Sequence, residues 1–165
     1  MNVSKLLPLM AIVALFSLSS CSRDSVNEGT INSIEVPVAP EAKQIEIEIM
    51  ELINAHRITL GLNPLNNHST VKAVAFTHTD YMVETNHVSH DNFFLRKESL
   101  QANADANIVS ENVAYGFTSA ESVVFAWLNS PSHRDNIEGA FTDFDISAEQ
   151  NAEGKWYFTN IFINR

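Results

Sequence analysis

Phe144-Asp145-Ile146-Ser147-Ala148 alternates apolar and polar side chains, Asn151-Ala152-Glu153-Gly154 has the composition of a turn, and Trp156-Tyr157-Phe158-Thr159-Asn160-Ile161-Phe162-Ile163 is rich in aromatic and β-branched residues. Together they predict a terminal β-hairpin. Upstream of it the apolar period changes to the helical one. Thr118-Ser119-Ala120-Glu121 reads as a capping box, with Thr118 serving an orphan amide and Glu121 reaching back. The helix it opens turns Val123, Val124, Trp127 and Leu128 inward and ends at Pro131, which lacks a backbone donor and pushes Ser130 out of helical geometry. Earlier still, Ser69 is the expected N-cap of a helix carrying Val71, Val74, Ala75, His78 and Met82 on one face to about Glu84. A first helix runs from near Glu41, with Ile45, Ile49, Leu52, Ile53 and His56 at helical spacing and Glu46, Glu48 and Glu51 at other positions. Gly61 closes it as a left-handed cap, with Pro64 beyond. Helices first and an antiparallel pair last predict an α+β fold, helices packed on a sheet.

The composition bounds what such a fold can do. The 165 residues are 45% apolar and 18% charged, which suits one folded domain and argues against disorder. Ten Lys and Arg against twenty Asp and Glu give a net charge of −10 with no basic cluster, so no nucleic-acid partner is expected. Cys21 is the single cysteine, which excludes an internal disulfide framework and a multi-thiolate metal cage.

That cysteine follows Lys5, an apolar run from Leu6 to Phe16, and Leu18-Ser19-Ser20. A short basic start, about a dozen apolar residues and small residues before a cut point have the layout of a secretory signal, too short for a spanning helix of roughly twenty apolar residues. Leu18-Ser19-Ser20-Cys21 resembles the bacterial lipobox, in which the cysteine becomes the first mature residue and carries diacylglyceride. Residues 1–20 are thus expected to be a lipoprotein signal peptide and Cys21 a lipidation site that holds the protein on a membrane through acyl chains. Loss of Lys5 with the signal leaves nine basic and twenty acidic residues, a net −11. Ser22 rather than Asp after the cysteine permits an outer-membrane or cell-surface destination in the envelope. Residues 21–41, polar and small with Pro37 and Pro40, read as a flexible tether, and residues 42–165 as the folded domain.

Polar residues with chemical capacity gather in three places: His87-Val88-Ser89-His90 before Asp91, Ser110-Glu111-Asn112, and Ser130-Pro131-Ser132-His133-Arg134. Two imidazoles and one carboxylate could converge on a divalent metal such as zinc, leave a position for water and support hydrolysis. They could equally hydrogen-bond one another and brace a cleft, an arrangement that a chain with six His offers without any catalysis. His56 and His78, on apolar stripes, read as hydrogen-bonded core residues, and Arg134 as the partner of Asp135 or Glu138.

The succession of Ile53-Asn54-Ala55-His56-Arg57, Gly61-Leu62-Asn63-Pro64-Leu65, Ala75, His78 and Met82, Ser89-His90, Glu111-Asn112-Val113-Ala114, Trp127-Leu128-Asn129-Ser130-Pro131-Ser132-His133-Arg134-Asp135-Asn136-Ile137 and Tyr157-Phe158-Thr159-Asn160-Ile161-Phe162 resembles the CAP superfamily of sperm-coating-protein-like (SCP) domains. The resemblance implies a three-layer α-β-α sandwich around a small antiparallel sheet, with a cleft lined by His and Glu. Carried over, His90 matches the family's first cleft His, Glu111 the Glu of its Glu-Asn element, and His133 the His of Ser-Pro-x-His-Arg. These three are the candidate catalytic or metal-binding residues. Where many eukaryotic members have a second Glu and a second His, this chain has Ser130 and Tyr157, so the tetrad is not reproduced; nor are the disulfides. Family members have been linked to sterol or fatty-acid binding, to protein interaction and to proteolysis. The reading that follows is a membrane-anchored, non-catalytic lipoprotein holding a lipid or peptide. No activated nucleophile is evident, since Ser89 and His90, adjacent in an extended segment, point to opposite faces. A metal-assisted hydrolase or peptidase, and a structural envelope or adhesion protein, are the alternatives.

Overall fold

The computed structural model describes residues 36–165; the expected signal peptide, Cys21 and most of the tether lie outside the described residues. The elements are α1 (Gln44–Thr59), β1 (Asn66–Asn67), α2 (Ser69–Thr85), α3 (Phe93–Asn103), β2 (Ile108–Tyr115), α4 (Ala120–Asn129), α5 (Pro131–Glu138), β3 (Asp143–Gln150) and β4 (Trp156–Asn164). They form an α+β fold around a four-stranded sheet of order β1-β3-β4-β2. The terminal hairpin pairs Phe144 with Phe162 and Ala148 with Phe158, and β2 runs antiparallel to β4 with Glu111 opposite Ile161. The sheet is mixed, because the two residues of β1 pair in parallel with Asp143 and Phe144.

Alternation along the strands divides the interior in two. Phe144, Ile146, Phe158 and Phe162 pack with Ile49 and Ile53 of α1, Trp127 of α4 and Ile137 of α5. Ile161, Ile163 and Val109 pack with Val71 and Val74 of α2 and Leu100 of α3, joined by Val36 and Phe93. The hairpin therefore has apolar residues on both faces because helices cover both. Each such buried side chain contributes roughly 1.5–3 kcal/mol.

Several helix ends differ from the sequence expectation. Ser69 is the first helical residue of α2 and His68 holds the cap position. On α4 the reciprocal cap is made by Ser119 and Ser122, each hydroxyl accepting the other's amide at 3.3 Å, instead of by Thr118 and Glu121. Pro131 does end α4, and at the same time opens α5 as its first residue, where a missing N–H costs nothing. Gly61 takes φ +73° beyond the α1 cap.

Glu46, expected on the polar side of the first helix, is buried. The reason lies at the edge of β3. Past β1, the outward main-chain groups of β3 have no neighbouring strand, and charged side chains take them up instead. Glu46 Oε1 accepts the Ala148 N–H at 2.7 Å, Lys72 Nζ donates to the Ile146 carbonyl at 2.8 Å, and Asp145 Oδ1 accepts the Ile146 N–H at 2.9 Å. Lys72 and Glu46 also pair with each other at 2.6 Å.

Candidate functional site

On β2 the alternation sends Glu111 toward α2 and α3 and Asn112 toward α5. The Glu111 carboxylate, 1% exposed, is fully engaged. Its Oε1 meets His90 Nδ1 at 2.8 Å and Arg96 Nη2 at 2.7 Å, and its Oε2 meets Arg96 Nε at 2.6 Å. The fork-to-fork pair between Arg96 and Glu111 is the geometry that holds a buried carboxylate most firmly. Arg96 Nη1 also donates to the Asp91 carbonyl at 2.6 Å, tying the start of α3 to the same anion. Burial alone would raise the Glu111 pKa, but hydrogen bonds from His90 and Arg96 outweigh it and hold the carboxyl below its usual range.

An ionised Glu111 accepts only, so Nδ1 of His90 carries the proton, and the ring, 53% exposed, is left with Nε2 for an outside partner. His78 lies behind, with Nε2 at 2.7 Å from the Ser89 carbonyl and 4.0 Å from Glu111 Oε1. Burial, reinforced by the nearby Arg96 charge, lowers its pKa, so it stands neutral at neutral pH as a brace of the loop that carries His90.

His133 is placed differently. It sits in the first turn of α5, its Nδ1 2.8 Å from Ser130 Oγ and its carbonyl accepting from Asn112 Nδ2 at 3.0 Å. Burial and the His90 charge both depress its pKa, so the two imidazoles sense each other electrostatically. Asn136 completes the junction, donating to Asn112 Oδ1 at 2.8 Å and to the Glu111 carbonyl at 3.3 Å. Tyr157 donates its hydroxyl to Asn86 at 2.8 Å. Arg134 is exposed, and Glu138 pairs with His56 at 2.9 Å.

His90 and Glu111 are thus brought together, whereas His133 belongs to the adjoining α5 junction. The cavity here, about 220 Å³, is lined by His90, Phe93, Val109, Ser110, Glu111 and Asn136. As a zinc centre the donors do not fit. Both Glu111 oxygens are taken by a guanidinium that already supplies the positive charge, and no three His, Cys, Asp or Glu among the described residues are grouped to hold a metal. Arg96 is the functional residue that the sequence reading lacks. Its signal is its spacing on α3, one turn from both Phe93 and Leu100, where a cation beside buried apolar side chains needs a buried partner.

Residues 50–162 match the CAP family, described as the cysteine-rich secretory protein family. The chain belongs to this family. The CAP domain here is 30% identical over 124 residues to the uncharacterized membrane protein YlbC of Bacillus subtilis, an alignment covering 73% of this chain and 34% of that protein. It is 33% identical over 98 residues to YkwD of the same organism, covering 56% of this chain and 37% of the relative. The chain therefore spans about a third of the length of each. Among solved structures, an outer surface protein of Borrelia burgdorferi superposes on the CAP domain with a TM-score of 0.68 at 24% identity, covering 76% of this chain and 96% of that one. An extracellular SCP-domain protein of Bacillus anthracis gives a TM-score of 0.63 at 26% identity over 73% of this chain and 40% of that one.

Proposed function

We propose that this CAP domain is an extracytoplasmic binding module, held on the cell envelope through acylated Cys21, that takes a peptide segment of another protein in the His90 cleft without breaking a bond. The observation that carries the reading is the commitment of Glu111. A hydrolytic role for Glu111 needs a carboxylate oxygen free to accept a proton from water, and here both oxygens are held by Arg96 and His90. The cavity volume of about 220 Å³ favours a peptide over a lipid. It lies below the roughly 300–1,000 Å³ of sites that enclose a small molecule, and suits one side chain of a longer ligand that stays outside.

Envelope placement is supported by the proteins this chain resembles, one a membrane protein, one an outer surface protein and one extracellular. Among the described residues no helix is long and apolar enough to cross a membrane. The anchor in this reading rests on the lipobox-like Leu18-Ser19-Ser20-Cys21. The test uses the full chain in detergent micelles on an array of N-acetylated octapeptide amides, with mass spectrometry of the same peptides after incubation. A bound subset, uncleaved, with affinity weakened roughly tenfold in His90→Gln, is the expected result. Cleavage products, or stoichiometric lipid extracted from protein purified out of its membrane, would overturn the peptide-binding reading. Labelled palmitate that stays on the Cys21→Ser variant would overturn the anchor.

A further inference from the structure

The cleft lies on the open side of an edge strand, and the hydrogen-bond pattern says which main-chain groups face it. Gly116 N–H donates to the Trp156 carbonyl at 2.8 Å, continuing the register in which Tyr115 stands opposite Tyr157. In an antiparallel ladder the bonded pairs alternate, so the even-numbered residues of β2 bond β4 and Val109, Glu111 and Val113 turn their N–H and C=O groups outward. Side-chain bonds from that outer side agree. Trp127 Nε1 donates to the Val113 carbonyl at 3.2 Å and Asn136 Nδ2 to the Glu111 carbonyl at 3.3 Å.

These two donors take up the Glu111 and Val113 carbonyls, as Glu46, Lys72 and Asp145 take up outward groups of Ile146 and Ala148 on β3 at the other side of the sheet. Among the described residues, the Val109 N–H and C=O and the Glu111 N–H receive no bond from outside the ladder. A row of donor, acceptor and donor is thus left open on one stretch of edge, and that stretch lines the cavity with His90, Phe93 and Asn136. An unpaired stretch of sheet edge that lines a cavity is the complement of one ligand chemistry, an extended polypeptide main chain.

We infer that the cleft recognises its peptide by short strand addition: an extended segment pairs its main chain with Val109 and Glu111, and sends one side chain into the space between His90 and Phe93. The inference rests on the peptide-binding reading above and specifies how that peptide is held. His90 Nε2, a hydrogen-bond acceptor while the ring is neutral, stands beside the strand to meet a donor on the inserted side chain.

The tightest octapeptide from the array is resynthesised in two forms, N-methylated at its odd or at its even positions. A peptide added to an edge bonds with every second residue only, so one form is expected to lose affinity about tenfold or more and the other to bind as before. Hydrogen exchange of the full chain in micelles is expected to slow at the Val109 and Glu111 amides when the unmethylated peptide is bound. Equal affinities for the two methylated forms, or protection elsewhere in the chain, would overturn strand addition while leaving peptide binding standing. A failure of every octapeptide to bind would remove both. A peptide-free dimer that protects the same two amides would replace the peptide by a second copy of this chain.

Discussion

Arg96 and Glu111 define each other at the level of single residues. The guanidinium is 2% exposed and the carboxylate 1%, so each has given up its water for the other. Separating such a pair leaves one charge buried alone, which costs about 3–5 kcal/mol, whereas replacing both with apolar groups of similar volume costs far less. Arg96→Leu is therefore expected to lower unfolding stability by about 3–5 kcal/mol in urea titrations, and Arg96→Leu combined with Glu111→Leu to recover most of it. Losses that simply add in the double variant would show that the two do not act as a pair. Glu111 itself was legible in the sequence, since a Glu-Asn pair inside an apolar stretch asks for an explanation. Its cation was not, because the carboxylate and the guanidinium lie on different elements and only packing of α3 against β2 joins them. His78 was readable as a core brace for the opposite reason: its place on the stripe of α2 already implied burial with a hydrogen-bond partner.

Elements were legible in proportion to how apolar their buried faces are. The hairpin of β3 and β4 and the helices α1, α2 and α4 bury Ile, Val, Phe and Trp at regular spacing, and periodicity finds them. α3 buries Arg96 and Ser99 beside Leu100, and α5 buries Ile137 amid polar residues, so neither shows a stripe. β2 alternates, but with Glu111 and Asn112 where apolar side chains would have marked it as a strand. The edge of β3 adds a related lesson. Glu46 looked like a solvent-facing residue because its role, accepting the Ala148 amide, depends on a strand a hundred residues downstream. Glu46→Leu leaves that amide without a partner and breaks the 2.6 Å pair with Lys72, two buried polar defects. We expect the Ala148 amide to exchange markedly faster than that of Phe158 in the same variant, together with a stability loss of about 3 kcal/mol or more. Unchanged protection at Ala148 would mean that the carboxylate does not close this edge.

At the scale of the whole molecule, stability should depend on pH through groups that pull in opposite directions. Glu111 and His78 both have folded-state pKa values below their ordinary ones, so each contributes stability at neutral pH that is lost as pH falls, His78 from about 6.5 downward and Glu111 from below about 4.5. Asp145 runs the other way. Its carboxyl, desolvated under α2 beside Lys72 and Glu46, is pushed up to about 6 from 3.8, although the Ile146 and His68 amides and the Lys72 charge pull it down. The folded chain then holds this proton more tightly than the unfolded chain does. Raising the pH from about 4 to above 6 therefore destabilises the fold, by roughly 3 kcal/mol for about two pKa units. Asp145→Asn keeps a carbonyl oxygen for the Ile146 amide and cannot ionise, so it removes this slope and leaves those of Glu111 and His78 in place. The stability of the variant minus that of the parent, from urea midpoints, is expected to rise between pH 4 and pH 7 and to level off above the Asp145 pKa. A difference that stays flat across that window would show that Asp145 is already ionised at pH 4, with Lys72 neutralising it more fully than Glu46 does.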